Sequence, residues 1–123
     1  MSFNDHKRVI KQLLCQYFPS FFYNQCPTGI FPRAVYDIKQ LDVADIPYEE
    51  YRLTLDFFDV NTTEAIDDAI DAVIAAFRNS ETLTTGYYYK FFYGNDRQNI
   101  PDPDKTIRHI MLSFEVRAYK RSE

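Results

Sequence analysis

The stretch Tyr48-Glu49-Glu50-Tyr51-Arg52-Leu53-Thr54-Leu55-Asp56-Phe57-Phe58-Asp59-Val60 runs directly into Asn61-Thr62-Thr63-Glu64-Ala65-Ile66-Asp67-Asp68-Ala69-Ile70, and the change of rhythm at that junction decides the fold. In the first half Tyr51, Leu53, Leu55 and Phe57 fall on one face and Arg52, Thr54, Asp56 and Phe58 on the other. That period of two marks a strand with one buried face. In the second half Ile66, Ile70, Val73, Ile74 and Phe77 recur at helical spacing, flanked by Ala65, Ala69, Ala72 and Ala76. Asn61 is the expected N-cap, with Glu64 three residues on in a capping-box arrangement. Asp67, Asp68 and Asp71 lie off the apolar stripe in the N-terminal half, where the helix dipole favours negative charge.

Upstream, Ala34, Tyr36 and Ile38 alternate against Arg33, Asp37 and Lys39, which predicts a strand over Arg33–Leu41. With 42–47 as a turn or loop, this strand and the next form an antiparallel pair. A first helix is predicted from Asn4 to Phe18, with Phe3, Ile10, Leu13, Leu14 and Tyr17 on one side, Asn4 as cap and Pro19 as stop. The aromatic segment after it, with Phe21, Phe22 and Tyr23, reads as loop. Downstream, Thr82–Tyr93 and Lys105–Arg117 read as two arms of a long hairpin, joined by a loop from Gly94 to Asp104. The sum is one α+β domain over 1–123, in the order α-β-β-α-β-β. An antiparallel or mixed sheet of about four strands carries two helices on one face.

The chain has eleven Phe, ten Tyr and no Trp, a composition that favours strands and protein interfaces. The net charge of −4 hides an asymmetry. Residues 1–40 carry five Lys/Arg against two acids, residues 41–80 two against ten, and residues 81–123 seven against six. A solvated helix face accounts for the acidic middle; an acidic surface that meets a basic one on a neighbouring copy is the functional alternative. Without an apolar N-terminal core or a long apolar run, neither a signal peptide nor a membrane span is expected. Cys15 and Cys26 match no metal-ligand spacing and read as buried or neutral thiols of a reducing compartment, with a disulfide between them as the lesser alternative.

Catalysis needs a nucleophile with its base, a metal cluster or a phosphate cradle. His6 and His109 have no neighbouring motif, and Asp56 and Asp59 fall on opposite faces of one strand. The reading is of a protein that is not an enzyme and needs no cofactor. Gly86-Tyr87-Tyr88-Tyr89-Lys90-Phe91-Phe92 partly imitates the base-stacking strand of an RNA-recognition motif. Thr85 stands where a basic residue belongs, the element order differs, and a pI near 5.1 gives phosphates no electrostatic footprint. Nucleic acid is therefore not an expected partner. Tyr88, Phe92 and Lys90 lie opposite Tyr87, Tyr89, Phe91 and Tyr93, so a sheet with one helical layer exposes the first set unless a partner covers it.

Phe31-Pro32-Arg33-Ala34-Val35-Tyr36-Asp37-Ile38 resembles the proline-then-Val-Tyr-acidic strand of the tail-terminator (tail-completion) proteins of long-tailed bacteriophages. Glu50 to Asp59 is similar to their next strand. The capped helix and the closing hairpin ending in Phe114-Glu115-Val116-Arg117 follow in the same order. Phe58 stands where a tryptophan is common in that family. The resemblance implies a homo-oligomeric ring, typically a hexamer, that caps the head-proximal end of the tail tube. Such a ring ends tube polymerisation and docks the tail to the head connector, so tail tube protein and connector protein are its implied partners. Its implied place is the virion tail, and the host cytoplasm during assembly. A head-tail connector component, or a small non-catalytic adaptor domain, is the alternative. Within the ring, Asp67, Asp68 and Asp71 are expected to meet Arg117, Lys120 and Arg121 of the next subunit. The loop residues Asp96, Arg97, Gln98, Asn99 and Ile100 are expected to have no core contacts and to order on docking.

Overall fold

A computed structural model describes residues 3–16, 21–23, 32–41, 48–78, 81–83, 86–94 and 96–120. The elements are α1 (Phe3–Cys15), β1 (Phe21–Tyr23), β2 (Arg33–Leu41), β3 (Tyr48–Val60), α2 (Glu64–Phe77), β4 (Glu81–Leu83), β5 (Tyr87–Tyr93), β6 (Gln98–Asn99) and β7 (Ile107–Lys120). β2 and β3 fall on the limits that their alternation predicts. The α+β class holds, but the sheet has seven strands rather than about four. Six lie on the path β1-β2-β3-β7-β5-β4, and β6 pairs with β7 beside it. The excess comes from short strands. β1 is parallel to β2. The single arm expected over Thr82–Tyr93 is itself two antiparallel strands, β4 and β5.

β3 and β7 form the spine, an antiparallel ladder that runs unbroken from Tyr48↔Tyr119 to Val60↔Ile107. β2 continues the sheet on the far edge of β3, and β5 and β6 on that of β7. Cross-strand partners share a face, so the register sorts every side chain. Tyr36, Leu55 and Leu112 line up on one side, as do Tyr89 and Ala118, or Phe91, Val116 and Tyr51. All of these are buried.

Both helices cover this same side. α2 inserts Ile66, Ile70, Val73 and Phe77, and Phe77 meets Phe91 at 5.0 Å and Phe114 at 6.1 Å between ring centroids. α1 buries Ile10 and Leu14, and with them His6. It spans Phe3–Cys15 rather than Asn4–Phe18, so Asn4 lies inside the helix; Tyr17, Phe18 and Pro19 fall outside the described residues.

The start of α2 also departs from expectation. Its N-cap is Thr63, which makes no side-chain cap bond. Asn61 instead adopts a φ of 66°, in a tight turn closed by the Thr62 amide donating to the Val60 carbonyl at 2.8 Å. Asparagine tolerates that left-handed conformation better than other residues with a side chain. The Asn61 amide donates to the Thr106 carbonyl at 2.6 Å, so the turn is tied to the approach of β7. Having used Asn61 to reverse direction, the chain cannot also use it as a cap.

Ile70 sits at the centre of the α2 contact with no exposed surface. Ile70→Asp buries an uncompensated carboxylate, which costs several kcal/mol and should abolish the cooperative thermal transition. A variant that still melts cooperatively near the parent temperature would mean that this face of α2 does not pack on the sheet.

Candidate functional site

Three polar constellations stand apart from the apolar core. The first is formed by the segment between β5 and β6, where a loop without contacts of its own was expected. It is folded back and anchored at several points. The Gly94 amide donates to the Ser113 carbonyl at 3.0 Å, and the Asp96 carboxylate accepts from the Ser113 amide at 2.9 Å and from the Ser113 hydroxyl. A Cβ at position 94 would lie 3.0 Å from Ser113 Oγ and 3.2 Å from its carbonyl oxygen, so glycine permits this close approach. Arg97 points the other way and grips α2, donating from Nη1 to Asp71 at 2.7 Å and from Nη2 to Asp67 at 2.5 Å. Partial burial pulls its ionisation down, but the bonds to Asp71 and Asp67 outweigh that and hold it above the ordinary arginine value. Gln98 and Asn99 then pair with Met111 and Ile110, and the Ile100 amide donates to the His109 carbonyl at 2.9 Å.

The second constellation is buried. His6 is 1% exposed, wedged between α1 and the sheet among the rings of Tyr51, Tyr87 and Tyr89. Nε2 lies 2.8 Å from Glu49 Oε2, and Nδ1 lies 2.6 Å from the Tyr89 hydroxyl. A carboxylate only accepts, so Nε2 carries a hydrogen; in the neutral tautomer Nδ1 then accepts from Tyr89. Tyr51 also donates to Glu49, at 2.9 Å. Burial pushes the Tyr89 phenol up to about 12, and burial together with the hydrogen bond to Glu49 raises Tyr51 further. Both hydroxyls therefore stay protonated as donors. Glu49–His6–Tyr89 has the connectivity of a carboxylate–imidazole–hydroxyl triad. However, Tyr89 has no exposed surface, so no substrate reaches its oxygen. The relay satisfies a buried imidazole and fixes α1 in place.

The third lies on the side of the sheet opposite the helices. Of the two rings expected there, Phe92 is shielded by cations of its own chain and Tyr88 packs on Tyr119 at 5.8 Å. Arg33 sits over Phe58 at 5.1 Å, Arg117 over Tyr48 at 4.9 Å and Phe92 at 4.8 Å, and Lys90 over Phe92 at 5.4 Å. His109 stacks on Phe58 at 4.2 Å while its Nε2 bonds Asp56 at 2.7 Å. Among the described residues, Leu83 at 65% is the large apolar side chain that stands exposed.

The residues expected at a subunit contact are thus distributed over both sides. Asp68 and Asp71 are exposed on the outside of α2, where Arg97 of the same chain engages Asp67 and Asp71. Arg117 lies on the opposite side with its guanidinium against two rings, Lys120 is exposed at the end of β7, and Arg121 falls outside the described residues. Cys15 is a free, half-buried thiol, and Cys26 is not among the described residues. The described residues contain no group of three or more His, Cys, Asp and Glu side chains able to hold a metal ion, and no helix long and apolar enough to cross a membrane.

No family model matches the chain, and no curated protein does. Among solved structures, it is similar to a chain in the virion of a native gene transfer agent (GTA) particle. The TM-score is 0.62 at 15% identity, and the match covers 92% of each chain. The likeness is one of fold.

Two outcomes test these contacts. His6→Ala leaves a cavity and strips Glu49 and Tyr89 of a partner, so it should cost about 2–4 kcal/mol and deprotect α1 amides before those of β3 and β7. Arg97→Ala removes half-exposed ion pairs and should cost no more than ~1 kcal/mol, while speeding hydrogen exchange at 96–100. Exchange unchanged at both α1 and 96–100 would show that neither contact secures its segment.

Proposed function

We propose that this chain is a structural protein of a phage-type virion that assembles into a homo-oligomeric ring, a hexamer by family resemblance. The ring caps the head-proximal end of the tail tube, ends its polymerisation and docks the tail to the head connector. The observation that carries this reading is the likeness to a virion chain over 92% of both proteins, joined to the order of strand and helix motifs that resembles the tail terminators. The distribution of chemistry agrees with it. In the cluster that most resembles a catalytic device, the His6 ring and the Tyr89 ring are buried beneath α1, which favours contact surfaces over an active site as the seat of function.

A ring uses heterologous contacts, in which two different patches of one subunit meet. This chain has two unlike sides, one of helices and one of bare sheet with interleaved charge. The segment from Gly94 to Ile100 sits at the border of both. Its anchors keep it ready for docking without an ordering cost, in contrast to a loop that must fold on binding. A connector subunit would share the virion setting without ending tube growth.

Tube protein polymerised with and without this chain separates the readings. Addition during growth should shorten tubes in proportion to its concentration and leave a ring at one end in negative-stain images. Tubes of unaltered length with no terminal density would refute the capping role, and binding to connector protein alone would favour the connector alternative.

A further inference from the structure

The two helices lie on the same side of the sheet, yet their outward surfaces differ in charge. α1 carries Lys7, Arg8 and Lys11 against a single acid, Asp5. Arg8 and Lys11 are exposed, and Arg8 spends one contact on Asp5 at 2.9 Å. α2 carries Glu64, Asp67, Asp68 and Asp71 and no cation. Arg97 engages Asp67 and Asp71, leaving Glu64 and Asp68 exposed outside its grip. Ala65, Ala72 and Ala75 of α2 are also exposed. Side chains this small let a second helix approach closely.

We infer that the outer face of α1 of one copy lies along the outer face of α2 of the next, with Arg8 and Lys11 facing Glu64 and Asp68. The inference rests on the ring reading above and names the patches that meet in it. Charge complementarity singles out a second copy of this chain as the occupant, because α1 and α2 are two different surfaces, each present once per subunit. Such a pair generates a head-to-tail contact that closes into a ring or runs on as a filament. The C-terminal cations serve this role less well. Arg117 is covered by the rings of Tyr48 and Phe92 and faces the bare side of the sheet. Opposite charges across such a contact set its orientation and its encounter rate, with the steering strongest at low ionic strength.

The test uses the full chain, with association followed by analytical ultracentrifugation at low and physiological salt. Lys11→Glu should weaken self-association by about 3–10-fold at low salt, less at high salt, because exposed ion pairs are individually modest. Lys11→Glu combined with Asp68→Lys should restore it, and Lys120→Glu should leave it unchanged. All three positions are exposed, so melting temperatures should stay near the parent value, which keeps loss of folding out of the comparison. Association indifferent to Lys11→Glu, failure of the charge swap to recover it, or a larger effect from Lys120→Glu would overturn this contact while leaving the ring intact. A parent chain that stays monomeric throughout would overturn the contact and the ring together.

Discussion

The ladder between β3 and β7 is the constraint on which the rest depends. Thirteen consecutive pairs fix the register, and a shift by one residue would turn Tyr51, Leu53, Leu55 and Phe57 to the bare side and Arg52 and Asp56 inward. Because cross-strand neighbours share a face, this one register also orders β2 and β5 and places every aromatic ring of the core. The helices follow from it. α2 leaves the end of β3 through the Asn61 turn and returns over the strands it has just left, and α1 closes the other end through His6, Ile10 and Leu14.

The two sides solve different problems. On the helical side, aromatic and aliphatic groups are buried in the core, and the buried imidazole of His6 is answered by Glu49 and Tyr89. On the bare side the charged ends of Arg33, Lys90 and Arg117 themselves lie over the rings beside them, so each cation meets an aromatic face. That arrangement lets one face of a sheet stay open without forming a continuous apolar patch. The same cations are therefore less available for steering a partner than their number in the sequence suggests.

How much of this was legible in the sequence depended on the range of the interaction. β2, β3 and the buried stripe of α2 are written in local periodicity and fall where that periodicity puts them. β1, β4 and β6 are two or three residues long, too short to show a period, and exist because a longer strand offers them an edge. The His6 relay joins residues 43 and 83 positions apart, and Arg97 reaches α2 across 26 and 30. No local pattern reports such pairs. The capping pattern at Asn61-Thr62-Thr63-Glu64 misled because asparagine serves caps and left-handed turns alike, and the geometry between β3 and α2 required the turn. The acidic character of α2 was visible; that Arg97 of the same chain claims part of it was not.

The described residues give the subunit one side of helices with charge on their outer faces and one side of sheet with cations over its rings, and the ring proposed above would repeat these two sides around one axis. A cryo-electron microscopy reconstruction of the intact virion tests this directly. The account predicts one closed ring of this chain at the junction of tube and head connector, with the same pair of surfaces meeting at each subunit contact. Density for a single copy, or for a repeat along the tube rather than at its end, would contradict it.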